Sequence, residues 1–282
     1  MTERQVAVGD IHLSIAEAGA GQSPLLLVHG FTGAKEDFTP WLDRLAASGW
    51  HAVAPDLRGH GGSAKPEKEA AYSFEIMAAD MLGLADVLGW ERFVLLGHSM
   101  GGMVAQFMAC KAPARLDGLV LMDTAHGPLR NLDPELVDAA VAIVRSQGMD
   151  ALASILAERQ GPLETAAHRR LIEGQAGYAE FCDRKLRATS SALYASMAPA
   201  FLSSPDRLDS LRALPRLLPV LVIAGELDEP FLGPSKRMAA GVGNAVLEII
   251  PDAGHCPQFE NEQAWWQALS GFLATLNVDA AC

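Results

Sequence analysis

The chain has 282 residues, 50% hydrophobic and 20% charged, which supplies one large core and excludes a disordered, collagen-like or coiled-coil chain. Its net charge of -12 repels phosphate polyanions and anionic lipid, so neither nucleic acid nor a membrane surface is an expected partner. The cysteines at 110, 182, 256 and 282 form no CxxC pair, and the opening MTERQVAVGD has no basic start or apolar stretch, so reduced thiols and a cytoplasmic location are expected.

Taken in chain order, an alternating segment at 11–18 reads as a strand. Short apolar runs follow at 25–28, 52–55, 93–96, 119–122, 220–224 and 246–250, each bounded by glycine, proline or charge. All are far shorter than the roughly 18 residues that cross a bilayer, so no spanning segment is expected. Between them, Met77, Met81, Leu84 and Leu88 recur at helical spacing, as do Met100, Met103, Val104, Phe107 and Met108. Continuously apolar strands alternating with helices predict an α/β fold: a mostly parallel central sheet covered by helices on both faces.

The alternation stops at 126–207, where helical signals dominate and an inserted α-helical cap is expected. Asp133, Pro134 and Glu135 predict a helix start, and Gly148 a stop. Asp150 can cap a second helix that halts at Gly161 and Pro162, and two more helices are expected over 164–175 and 178–196. The expected organisation is thus a core in two parts, 1–125 and 208–282, around the cap. Trp265, Leu269, Phe272, Leu273 and Leu276 mark one face of a terminal helix.

The chemistry concentrates at the ends of the predicted strands. The Gly-x-Ser-x-Gly pattern in GHSMGG at 97–102 falls between a strand and a helix, where a sharp turn projects the hydroxyl of Ser99 into a cleft beside a helix N-terminus. Serine is a weak nucleophile unless a base takes its proton and an acid orients that base. His255, in the AGH that follows the strand at 246–250, is the expected base. Asp228, in the GELD that follows the strand at 220–224, is the preferred acid, with Asp123 in a second possible slot. HGFTG at 29–33 can turn backbone N–H groups toward the cleft, and those of Phe31 and Met100 are the expected oxyanion donors. Phe31, Met100, Met197 and Phe201 are candidate substrate-lining residues, although ordinary core packing explains Met197 and Phe201 at least as well. GHGGSA at 59–64 imitates a dinucleotide fingerprint but no helix opens after it, so no cofactor is expected, and Arg58 is read as a structural donor.

Together HGFTG, DLRGHGGS, GHSMGG, GELD and AGH, in this order and over nearly the whole chain, resemble the α/β-hydrolase superfamily. The resemblance implies a Ser99, Asp228 and His255 triad, oxyanion donors at Phe31 and Met100, and a helical cap over 126–207 that shapes the pocket. The first reading of the activity is a cofactor-free hydrolase of carboxylic esters or lactones, and an apolar cap rich in Leu, Met and Phe favours small or medium hydrophobic substrates. Haloalkane dehalogenases and epoxide hydrolases resemble the chain elsewhere but use aspartate where Ser99 stands. Hydrolases that cleave C–C bonds in ring-cleavage products are closer, yet they usually carry an HGGGPG-like loop, asparagine before the serine and tryptophan after the histidine. Here stand HGFTG, His98 and Cys256. A non-catalytic ligand-binding protein on the same fold is a further alternative.

Overall fold

The computed structural model describes residues 1–21, 23–158 and 164–277. Thr2–Val8 (β1) and Ile11–Ala18 (β2) form an antiparallel hairpin, and β2 also pairs antiparallel with Trp50–Pro55 (β4). Ser23–Val28 (β3), Phe93–His98 (β5), Leu116–Met122 (β6), Val220–Gly225 (β7) and Ala245–Ile250 (β8) complete an eight-stranded sheet of order β1-β2-β4-β3-β5-β6-β7-β8. Every pairing from β4 through β3 to β8 is parallel. The loops that leave β3, β5, β6, β7 and β8 therefore gather along one edge, where open parallel sheets place their sites. The sequence reading missed β1, because this edge strand turns only Val6 and Val8 to the core and leaves its other residues exposed.

Both sheet faces are covered. On one lie Phe74–Val87 (α2), Met100–Lys111 (α3) and Glu229–Gly241 (α9), which bury Met77, Met81, Leu84, Val104, Phe231 and Met238 in the larger core. On the other, Thr39–Ala47 (α1) and Glu262–Asn277 (α10) bury Trp41, Leu42, Leu45, Trp265, Leu269 and Leu273. Each such side chain contributes about 1.5–3 kcal/mol on burial, so the two layers hold the sheet from both sides.

Among the described residues no strand lies between β6 and β7; the chain there forms Pro134–Ala157 (α4), Ala166–Gly174 (α5), Tyr178–Arg187 (α6), Ser191–Ser203 (α7) and Leu208–Arg212 (α8). Gly148 breaks α4 with φ 83° and ψ 179°, which fits the expected stop. This is the one described helix long and apolar enough to cross a bilayer by composition, but its two parts, 134–147 and 149–157, are each shorter than the roughly 20 residues a span requires. Val141, Val144, Met149 and Leu152 instead pack with Ala195 and Ala198 of α7 in a core of their own. The expected stop at Gly161 and Pro162 lies outside the described residues.

The stretch 178–196 contains a break rather than the single expected helix. Ser190 caps α7 by accepting the Leu193 N–H (3.4 Å), while its own N–H bonds to Gly59 O (2.7 Å). A cap combined with an anchor onto the core outweighs continued helix across 188–190, and only the cap is a local signal.

Candidate active site

Ser99 sits between β5 and α3 with φ 54° and ψ -117°, a conformation that a residue with a side chain adopts only when its surroundings impose it. The restraints are visible: Ser99 N–H donates to Met122 O (2.9 Å), and Ser99 O accepts from the Thr124 hydroxyl (2.6 Å) and from the N–H groups of Gly102 and Met103 (3.0 and 3.1 Å). The flanking glycines are required by space. A Cβ at Gly97 would lie 2.3 Å from Gly101 O, and one at Gly101 would lie 2.3 Å from Val28 O.

This turn delivers the Ser99 hydroxyl to His255, with Oγ 2.9 Å from Nε2. The other ring nitrogen, Nδ1, lies 2.8 Å from Asp228 Oδ2. An ionised carboxylate can only accept, so Nδ1–H donates to Asp228, which leaves Nε2 to accept the Ser99 proton. Asp228 occupies the N-cap position of α9 without capping it, and its side chain is fully buried. The loop carrying His255 is fixed against the β7 loop: Glu226 N–H bonds to Ile250 O (3.0 Å) and Leu227 N–H to Ala253 O (2.8 Å). Asp252 serves the turn, with φ 54° and an ion pair to Arg170.

His98 adds a contact that the sequence did not reveal. Its Nε2–H donates to the His255 backbone oxygen at 2.7 Å, and its ring stands 5.0 Å from the His255 ring. Burial, reinforced by the neighbouring His255, pushes the His98 imidazole down to about 3. It therefore stays neutral at the back of the site and holds His255 through hydrogen bonding rather than charge.

The HGFTG loop touches Ser99: a Cβ on Gly30 would come within 3.0 Å of the Ser99 Cβ. Gly33 N–H bonds to Gly30 O (3.1 Å), which turns the chain at Phe31 and Thr32. Across from it, Met100 is the first residue of α3, so its N–H has no carbonyl of its own helix to meet. The Met100 side chain is 1% exposed and packs in the core, so only its backbone is available to a bound molecule.

The remaining candidates lie along one side of α7. Phe201 packs on Phe31 edge to face (5.1 Å), and Tyr194, unnamed at the sequence level, packs tilted against the same ring (5.0 Å). Tyr194, Met197 and Phe201 follow i, i+3, i+7, the signal that could have found Tyr194. Met197 is fully buried and lines a cavity of about 180 Å³ with Tyr72, Phe74, Phe107 and Arg207. That cavity contains none of Ser99, Asp228, His255 or Phe31, and the ring of Phe201 packs between Phe74 (6.1 Å) and Phe31.

Two further ion pairs are buried, one beside the HGFTG turn and one between Arg58 and α2. Lys185 of α6 reaches Asp37, just beyond the HGFTG turn, and lies 4.0 Å over the Phe181 ring. Burial works against the ionised Asp37, but Lys185 and the neighbouring His29 and His98 together outweigh it and hold the carboxyl below its usual range. Periodicity could not find this pair, because its partners are 148 residues apart on different elements. Arg58 forks onto Asp80, with Nη2 2.6 Å from Oδ1, and donates to Ala71 O (2.9 Å), the structural role expected of it. Among the described residues no cluster of His, Cys, Asp and Glu is arranged to hold a metal ion.

A hydroxyl hydrogen-bonded to an imidazole that a buried carboxylate orients can surrender its proton while its oxygen attacks an electrophile. The positive end of α3 favours negative charge forming beside it.

Comparison with known proteins agrees with this architecture. A 104-residue stretch is 40% identical to epoxide hydrolase A of Mycobacterium tuberculosis, but it covers only 36% of this chain and 32% of that one. Over 99% of this chain and 95% of the other, the sequence is 28% identical to the 2-hydroxymuconate semialdehyde hydrolase of Pseudomonas sp. strain CF600. The fold superimposes on a thermophilic esterase from Thermogutta terrifontis, solved with malate bound, with a TM-score of 0.82, 29% identity and coverage of 98% and 99% of the two chains. The family model described as alpha/beta hydrolase fold matches residues 23–262, and the chain belongs to that family.

Proposed function

We propose that the protein hydrolyses carboxylic esters or lactones of small to medium apolar substrates through an acyl-enzyme. The observation that carries this reading is the continuous hydrogen-bond chain from Ser99 Oγ through His255 to Asp228. Ser99 attacks the carbonyl carbon and His255 Nε2 takes its proton. The N–H groups of Phe31 and Met100 bind the oxyanion, each donor lowering the barrier by about 3 kcal/mol. The C–O bond then breaks, His255 gives the proton to the leaving alkoxide, and water attacks the acyl-Ser99 ester to release the acid. The helices of 126–207 act as a cap, and an apolar wall is supplied by Phe31, which follows the Gly30 that abuts Ser99, with Tyr194 and Phe201 packed on its ring.

A second reading, C–C bond hydrolysis of a vinylogous diketone acid, is favoured by the near full-length similarity to the semialdehyde hydrolase. A panel of short and medium nitrophenyl esters, lactones, amides and one vinylogous diketone acid separates the two. The ester reading expects turnover of esters and lactones well above that of amides. Rapid cleavage of the diketone acid with negligible ester turnover would transfer the assignment to the second reading.

A further inference from the structure

A second buried carboxyl stands beside Asp228 with no part in the hydrogen-bond chain. Asp123 follows β6 and Asp228 follows β7, neighbouring parallel strands, and both side chains are fully buried. Asp123 Oδ1 accepts the Gly225 N–H at 2.8 Å, while Asp228 Oδ2 faces His255. The remaining oxygens, Asp123 Oδ2 and Asp228 Oδ1, are buried and meet no nitrogen or hydroxyl donor among the described residues. Gly225 links the two: its N–H binds Asp123 Oδ1, and its backbone oxygen accepts the Asp228 N–H at 3.2 Å, which sets the two buried carboxyl groups side by side. Two carboxylates that share a dry site cannot both stay ionised, and one proton between them turns the repulsion into a bond.

We infer that Asp123 is a neutral carboxylic acid whose O–H donates to Asp228 Oδ1, making it a positioning residue for the acid of the proposed triad. The proton belongs on Asp123 because Asp228 has a strong partner for its charge in His255 Nδ1–H, which becomes an imidazolium during turnover, whereas Asp123 has one backbone amide. Burial, and then the charge of Asp228, push the Asp123 carboxyl well above the usual carboxylate range. With Oδ1 held by Asp123, the Asp228 carboxylate is fixed in the rotation that aims Oδ2 at His255. The catalytic consequence rests on the serine-hydrolase reading; the protonation state does not.

Two variants and a spectrum test this. In Asp123→Asn the amide oxygen can accept from Gly225 and the NH₂ can donate to Asp228 Oδ1, as the protonated acid does. Asp123→Leu keeps similar bulk without a donor. The infrared difference between wild type and Asp123→Asn at neutral pH should contain the C=O stretch of a protonated carboxylic acid. Asp123→Leu should lower kcat about ten- to hundred-fold, the worth of one charge-assisted hydrogen bond, with little change in KM, and Asp123→Asn should recover most of that loss. A difference spectrum with only carboxylate bands, or an Asn variant as slow as the Leu variant, overturns the inference. If Asp123→Leu does not fold, the spectrum still decides. A carboxylic acid band in a protein whose Ser99 is unreactive would uphold the proton and refute the serine mechanism.

Discussion

Ser99→Ala is expected to lower kcat/KM for the best ester by about 10⁴- to 10⁶-fold while the protein folds normally. The large loss follows because the base and the acid have no function without the oxygen they activate. The intact fold follows because among the described residues Oγ bonds only to His255, at 2.9 Å, whereas the turn is held through the Ser99 backbone, by Met122 O and the Thr124 hydroxyl, which alanine preserves. Asp228→Asn should cost about 10⁴-fold, because an amide NH₂ at this position favours the imidazole tautomer whose Nε2 carries the proton and cannot accept one from serine. Steady-state kinetics together with circular dichroism check both. A Ser99→Ala enzyme that retained more than a few per cent of wild-type kcat/KM would contradict the assignment.

The second large effect is on stability in acid. His29, His60 and His98 are buried, and burial lowers all three imidazoles, His98 to about 3. The unfolded chain binds a proton at His98 from about pH 6.5 downward, while the folded chain refuses it until about pH 3. The stability from a neutral His98 is therefore complete above pH 6.5 and drains away as pH falls through that window. At 1.36 kcal/mol per pH unit, His98 alone accounts for about 5 kcal/mol, comparable to the whole stability of many domains. Buried carboxyls raised by desolvation, Asp80, Asp123 and Glu260, titrate in the opposite sense, so the bulk profile is a sum. The difference between wild type and His98→Asn in denaturant unfolding isolates the imidazole. The variant should be less stable at pH 7.5, with the gap shrinking by several kcal/mol toward pH 4. A gap constant with pH would mean that His98 is not held neutral.

How much of this was legible in the sequence depends on how local each signal is. The parallel strands showed themselves as continuous apolar runs because both sheet faces are covered, and GHSMGG announced a sharp turn because Gly97 and Gly101 have no room for a side chain. Position just after a strand was enough to nominate Asp228 and His255, which the structure brings to Ser99. β1 escaped because an edge strand with one wet side has few apolar residues, and the break at 188–190 because its anchor, Gly59, is remote in the chain. The same reason hid His98 on the His255 carbonyl, Lys185 on Asp37 and Asp123 on the Gly225 N–H. A motif shows how the backbone turns, but which distant polar atom a buried side chain meets is decided only when the sheet assembles.

The most direct test of the serine mechanism is intact-protein and peptide mass spectrometry after treatment with a fluorophosphonate. One adduct per chain is predicted, located on Ser99, absent in Ser99→Ala and strongly slowed in His255→Ala. A wild-type protein that remains unmodified, or that carries the adduct on another residue, would contradict the account.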